Sequence, residues 1–227
     1  MPRIGFFGGS FDPPHFGHLA VARAVREALH LDRVLFAPVG AQPLKPDGAK
    51  ASFADRVEMT RLAIAGEPGL DVSLLDAPQA SGAPNYTLDT LHKLRCEQPG
   101  AHVFLILGAD SFAALRHWHG AAHIPFAATL VIASRPGQFI GNLALYLPPS
   151  LSIIPMKESA GSSPEMQAYA LKSPGGDVGE LYLLPGLDVP ISASEIRAQL
   201  HHHAEAENSS LVPEAVAEYI RQHRLYQ

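Results

Sequence analysis

Short apolar runs alternate along this chain with longer stretches in which apolar positions recur every three or four residues. Ile4-Gly5-Phe6-Phe7 predicts a strand over Arg3–Phe7, and Leu19, Val21, Ala22 and Val25 mark much of the apolar face of a helix from about Phe16 to His30. The alternation goes on through a strand Arg33–Ala37, a Pro/Lys-rich loop at 38–50 and a helix near Ser52–Ala65 with Ser52 as its cap. A strand Asp71–Leu75, a Ser/Gly/Pro loop at 78–85 and a helix Thr87–Cys96 follow, then a strand His102–Leu107, a helix Ser111–His117 and a fifth strand Thr129–Ala133. Strands separated by helical patterns predict right-handed βαβ units. The fold class is therefore α/β: a doubly wound, mostly parallel sheet with helices on both faces. Ligands in such sheets bind beyond the carboxyl ends of the strands. Gly8–His18, Pro38–Lys45 and Gly108-Ala109-Asp110 all lie there, so three loops converge on one rim.

Beyond residue 137 the pattern weakens. Leu143–Met156 reads as an apolar strand pair around Pro148-Pro149, and Gly161–Asp177 as loop with one helical turn at most. The Ser/Pro/Gly content of 159–177 suggests a mobile insertion. A strand Glu180–Leu184 and helices near Ser194–His202 and Pro213–Arg224 form a short helical C-terminal part. At 227 residues the chain is most simply one domain, 1–227, with a core at 1–137, a variable insertion at 138–178 and the C-terminal part at 179–227.

Composition is ordinary for a globular chain, 47% apolar and 17% charged. A net charge of −5 and a pI near 6.2 argue against nucleic-acid binding. Any polyanionic substrate must meet locally concentrated positive groups. The lone Cys96 excludes an intrachain disulfide and a multi-cysteine metal site. No signal-peptide pattern and no 18-residue apolar run are visible, so cytoplasm is the expected location, away from membranes. His201-His202-His203 reads as the frayed, solvated end of a helix. His117, His119 and His123 lack a carboxylate or cysteine that would complete a zinc set.

The chemistry concentrates in two strings. Gly8-Gly9-Ser10-Phe11-Asp12-Pro13-Pro14-His15-Phe16-Gly17-His18 joins the first strand to the first helix. Gly8, Gly9 and Gly17 let backbone approach a bulky anion, and the helix presents free N–H groups and its positive dipole end to the same place. His15 and His18 fall on one face if the turn is helical. The second string is Ile191-Ser192-Ala193-Ser194-Glu195-Ile196-Arg197. Ser192 and Ser194 offer hydroxyls and amides at a helix start, and Arg197 adds a planar donor fork suited to phosphate. The P-loop and dinucleotide fingerprints are both absent.

The first string resembles the GSFDPxHxGH signature of nucleotidyltransferases that move AMP or CMP from a nucleoside triphosphate. The second resembles the Ile-Ser-Ser/Thr-x-x-Ile-Arg motif that partners it in the same superfamily. Class I aminoacyl-tRNA synthetases share the HxGH element, but no KMSKS-like string is present. Three further strings, Asn85-Tyr86-Thr87-Leu88-Asp89-Thr90-Leu91, Leu107-Gly108-Ala109-Asp110 with Leu115 and Trp118-His119, and Ser134-Arg135-Pro136-Gly137, resemble elements of bacterial nicotinate-mononucleotide adenylyltransferases in matching order. The resemblance runs from Gly8 to Arg197. It implies a Rossmann-like fold that joins ATP to nicotinate mononucleotide, giving deamido-NAD and pyrophosphate, with Mg²⁺ accompanying ATP.

In that family's pattern His15, His18 and Arg197 are catalytic. Gly8, Gly9, Ser10, Phe11, Gly108, Asp110, Ser192 and Ser194 join them at ATP, while Lys45, Tyr86, Thr87, Trp118 and Arg135 serve the mononucleotide. Asp110 is expected to cap the helix at Ser111 and reach a ribose hydroxyl; Asp89 is expected to be structural. Where the family usually carries Pro-x-His-Lys, this chain reads Gln42-Pro43-Leu44-Lys45, so Leu44 stands in the histidine's place. Nicotinamide mononucleotide, phosphopantetheine and a non-catalytic nucleotide-binding regulator remain as alternatives, and a homo-oligomer stays open.

Overall fold

The computed structural model describes residues 1–44, 48–134, 142–156, 166–185, 191–202 and 211–227. Its elements run β1 (Arg3–Gly9), α1 (Phe16–Ala28), β2 (Arg33–Pro38), α2 (Phe53–Ala63), β3 (Leu70–Val72), α3 (Thr87–Glu97), β4 (His102–Gly108) and α4 (Ala109–Ala114). They continue through α5 (Ile124–Ala127), β5 (Thr129–Ala133), β6 (Ser152–Pro155), β7 (Gln167–Lys172), β8 (Val178–Leu184), α6 (Ala193–His202) and α7 (Glu214–Gln222). The strands form one sheet in the order β3-β2-β1-β4-β5-β8-β7-β6. Pairing is parallel from β3 through to β8 and antiparallel only for β8–β7 and β7–β6. Chain order reverses between β1 and β4, and such a switch point opens a crevice at the strand carboxyl ends.

Alternate strand residues face opposite sides of a sheet. Ile4, Phe6, Leu35, Val103, Leu105 and Leu107 accordingly pack with Leu88, Leu91 and Leu94 of α3 and with Phe112 of α4. Phe7, Val34, Phe36, Phe104 and Ile106 pack with Leu19, Ala22 and Val25 of α1 on the other face. A third cluster joins Met59 and Ala63 of α2 to Ile196 of α6 and Val216 and Ile220 of α7. The C-terminal helices thus dock on α2, which carries the start of α6 to the rim above β1.

Four expectations change. The segment read as loop over 161–177 holds β7, which pairs along its whole length with β8, and Leu143–Tyr146 is a 3₁₀ turn rather than a strand. The third strand is Leu70–Val72, shorter and earlier than predicted. Helix α4 begins at Ala109, because Gly108 (φ −72°, ψ 161°) takes the cap position directly after β4. Asp110 therefore lies inside the first turn and is not the cap. Ser52 does cap α2, accepting the Asp55 amide at 3.1 Å.

Candidate active site

A cleft of about 960 Å³ lies over the carboxyl ends of β1 and β4. It gathers the β1–α1 turn, the starts of α3 and α4, Trp118 and the start of α6. Gly8, Gly9, Ser10, Phe11, His15, His18, Tyr86, Thr87, Gly108, Asp110, Trp118, Ser192, Ser194 and Arg197 all line it. Lys45 and Arg135 lie outside the described residues.

His15 occupies the N-cap of α1 and His18 its third residue. One helical turn brings the imidazoles almost face to face, 3.7 Å between centroids and 31° between planes. The His15 amide donates to His18 Nδ1 at 3.2 Å. An accepting Nδ1 places the proton of the neutral ring on Nε2, on the far side of the imidazole. Phe11 meets His18 edge-on at 4.9 Å. A side chain at Gly9 would come within 3.2 Å of that Phe11 ring, so Gly9 makes room for the aromatic that backs His18. At Gly108 a Cβ would meet nothing within 4 Å, and backbone there is open to a ligand.

The turn is fastened from beneath by two buried groups to which the sequence assigns no role. Asp12 is 3% exposed, and its carboxylate accepts the Lys50 amide at 2.6 Å, the Ala51 amide at 3.1 Å and the Tyr226 hydroxyl at 2.7 Å. Arg56 of α2 is 2% exposed and donates to the carbonyls of Ser10 at 2.7 Å and Val39 at 2.8 Å. Burial pushes its guanidinium down from the ordinary arginine value, and the Asp12 carboxylate opposes that shift. The loop after β1 is held to the loop after β2 by one arginine. Above it, the Ser10 hydroxyl donates to Gln42 Oε1 at 3.2 Å. Asp12 stands within the quoted string and was legible as part of it. Arg56 offers no local signal, since one arginine on a helix ordinarily reads as solvated.

At the start of α6, Ser192 and Glu195 form a reciprocal cap. The Glu195 amide donates to Ser192 Oγ at 3.2 Å, and the Ser192 amide donates to Glu195 Oε2 at 3.2 Å. Arg197 reaches across the cleft: Nη1 donates to the Asp12 carbonyl at 2.6 Å and Nη2 to Ser194 Oγ at 3.2 Å. The two strings singled out in the sequence, 185 positions apart at this contact, therefore touch through one guanidinium.

The opposite end is aromatic. Tyr86 caps α3, and its ring stacks on His119 at 4.3 Å and 29°. Thr87 opens the helix, whose first amides have no intrahelical acceptor. Trp118, half-buried, follows the 3₁₀ turn Leu115–His117 and packs against the α3 side of the core. Asn85 sets this end in place. Its Oδ1 accepts the Ala41 amide at 3.0 Å and its Nδ2 donates to the Ala77 carbonyl at 2.9 Å. Buried Asp76 accepts the Thr90 hydroxyl at 2.6 Å, and burial raises its carboxyl above the ordinary aspartate value. Among the described residues no group of three His, Cys, Asp or Glu side chains is placed to hold a metal ion, and no helix is long and apolar enough to cross a membrane.

Comparison with known proteins shows the family. Residues 6–199 match the family model described as Cytidylyltransferase-like. A relative from Laribacter hongkongensis is 40% identical over 230 residues, covering 100% of this chain and 96% of its own. One from Herpetosiphon aurantiacus is 38% identical, covering 100% of this chain and 99% of its own. Both carry the name "Probable nicotinate-nucleotide adenylyltransferase". Among solved structures, the Plasmodium falciparum nicotinic acid mononucleotide adenylyltransferase complexed with NaAD superposes with a TM-score of 0.71 at 16% identity, covering 100% of this chain and 98% of that one. At that identity the likeness speaks for the fold, while the full-length relatives speak for descent. The chain belongs to the nicotinate-nucleotide adenylyltransferases, within the cytidylyltransferase-like family.

Proposed function

We propose that this cleft transfers the adenylyl group of ATP to nicotinate mononucleotide, releasing deamido-NAD and pyrophosphate. One observation carries the reading: the His15–His18 pair and Arg197 converge on a single turn, in the same cleft as the Tyr86–Trp118 end. The nucleophile is a mononucleotide phosphate oxygen, already anionic at neutral pH, so no general base is needed. It attacks the α-phosphorus of ATP. The new P–O bond forms as the α–β bridging bond breaks, and the electron pair leaves with pyrophosphate. Two polyanions must be brought into line, so positioning and charge neutralisation are the enzyme's work.

His18 Nε2–H, the Ser10 hydroxyl and the Gly8–Gly9 backbone are suited to hold phosphate oxygens, while His15 steadies charge at the reacting phosphate. Arg197 and Lys45 neutralise the remaining charge. The open backbone at Gly108 suits the nucleoside, and Asp110, which lines the cleft from the first turn of α4, is the group we assign to a ribose hydroxyl. Mg²⁺ enters as part of the Mg·ATP substrate, screening its phosphates. The described residues offer no cage for the ion, so no protein ligand is assigned to it.

At the other end the free amides of the α3 first turn and the Thr87 hydroxyl favour a ring carboxylate over a neutral amide. Trp118 supplies a face for the pyridine. Pyrophosphate release with ATP and each of nicotinate mononucleotide, nicotinamide mononucleotide and phosphopantetheine tests the reading. The acid should win over the amide by at least about tenfold in kcat/KM, the worth of a charge-assisted hydrogen bond. Equal turnover, or a preference for the amide, overturns the acceptor and leaves adenylyl transfer standing. No turnover with any acceptor overturns the chemistry.

A further inference from the structure

The segment that follows α7 reaches the catalytic turn by an unusual backbone path. The helix closes with the Arg224 amide on the Arg221 carbonyl at 3.2 Å and the Leu225 amide on the Ile220 carbonyl at 3.1 Å. That paired closure needs a left-handed residue, ordinarily glycine, and here Arg224 takes it at φ 51°. Tyr226 then adopts φ 64°, a conformation that bulky residues hold only where surroundings fix it. The fixing groups are the α2–α7 cluster, against which Leu225 and Tyr226 pack, and the carboxylate of Asp12. Phe11, next to that carboxylate in sequence, is itself left-handed at φ 47°. Two strained residues, 215 positions apart in numbering, thus bracket one buried carboxylate.

Nothing in the reaction just described uses Tyr226, although it is joined to the catalytic turn through Asp12. Asp12 takes the phenol on its side chain and the Arg197 fork on its carbonyl. The Leu211 carbonyl, just ahead of α7, accepts the Phe16 amide at 3.1 Å, so the same C-terminal region also holds the start of α1. Burial and the adjoining carboxylate push the phenol well above its ordinary value, which keeps the hydroxyl protonated and donating.

We propose that Tyr226 is a positioning residue for adenylyl transfer: its hydroxyl, acting through Asp12, fixes the Phe11–His15 turn so that His15 meets the reacting phosphate. The inference rests on the functional reading above. Displacements of about 1 Å at a catalytic group can cost up to about 10²-fold in rate, so losing one fixed hydrogen bond on the turn has kinetic weight.

Tyr226→Phe keeps the ring and deletes only the donor. It should lower kcat by about tenfold, leave the mononucleotide KM within about twofold and speed hydrogen exchange at the Lys50 and Ala51 amides, which share the carboxylate. A merely structural role would lower the thermal midpoint and leave kcat per folded molecule intact. In an Asp12→Asn background the same change should cost less than about twofold, because the two act as one unit. An unchanged kcat in active protein, or a full tenfold loss in the Asp12→Asn background, overturns the proposal. The wild type is assayed first, so failure to make deamido-NAD falls on the functional reading, whereas failure of Tyr226→Phe to slow an active enzyme falls on Tyr226 alone.

Discussion

At the phosphate end of the cleft buried polar groups fasten the turn that carries the histidines, whereas at the acceptor end the rings are half-buried and lean on a neighbouring ring and on the core, although buried Asn85 and Asp76 anchor the start of α3. His15 and His18 ride on a turn held by Asp12 and Arg56, each 3% exposed or less. Tyr86 and Trp118 are half-buried and rest on His119 and the flank of the core. The contrast follows from what each end handles. Charge that develops in a transition state is stabilised by donors that need not reorganise, and buried hydrogen-bonded partners hold such donors in place. A flat ring is recognised by area, and stacking tolerates small displacements. The same distinction predicts that changes at the phosphate end act on kcat and changes at the acceptor end act on KM.

The sharpest way to break the contrast is His15→Ala, which should lower kcat by roughly 10²–10⁴-fold, as for other donors aimed at developing charge. His15 is also the N-cap of α1, so His15→Asn, a good capping residue, separates the two roles. It should restore the melting temperature and leave kcat low. Near-wild-type kcat/KM in either variant would remove the turn from the centre of catalysis.

Trp118→Ala probes the other end and should be milder. Loss of a stacking face is worth about 1–3 kcal/mol by analogy with bases on aromatic side chains, or roughly five- to 150-fold. The loss should appear in the mononucleotide KM, equally for the acid and the amide, with the ATP KM within about twofold. A fall in kcat at unchanged KM would mean that the acceptor end is as tightly tied to the chemistry as the phosphate end, and the contrast would fail.

The contrast also explains what was legible in the sequence. Parallel strands and their helices were readable from periodicity, because both faces of the central strands are buried and their apolar runs are continuous. His15, His18 and Arg197 were readable because rare residue types recur in a fixed string at element boundaries. Their supports were not. Arg56 sits in a helix with no clean apolar stripe, and its burial is decided by the loops after β1 and β2 and by the packing of α7 on α2. Tyr226 ends in a left-handed turn that no propensity rule assigns to tyrosine. Strand β7 is not legible because Gln167-Ala168-Tyr169-Ala170-Leu171-Lys172 carries small and polar residues within a Ser/Pro/Gly-rich region. Only its pairing with β8 makes it a strand. Asp110 reads as a cap for a helix at Ser111, yet the end of β4 puts Gly108 at the cap position.

The smallest effect concerns Asp76, a buried carboxylate at the acceptor end. Asp76 holds Thr90 of α3 through the 2.6 Å hydrogen bond, while its carbonyl accepts the Gly40 amide at 2.7 Å. Desolvation raises its carboxyl, and the Thr90 hydrogen bond and Lys93 only partly oppose that. The folded protein therefore binds this proton more tightly than the unfolded chain does. Between the unfolded and the folded pKa the native state holds more protons, so this group's contribution to stability falls as pH rises through that window and is level above it. Asp76→Asn keeps an acceptor for Thr90 and removes the titration. Relative to wild type the variant should gain stability as pH rises from about 4, just past the ordinary aspartate value, towards 7. Denaturation midpoints measured at both ends of that range check it, with the mononucleotide KM expected to stay within about twofold because the amide still anchors α3. Parallel stability curves for the two proteins would show that Asp76 is ionised at no net cost. The acceptor end would then be fastened by a satisfied buried charge, just as Asp12 fastens the phosphate end.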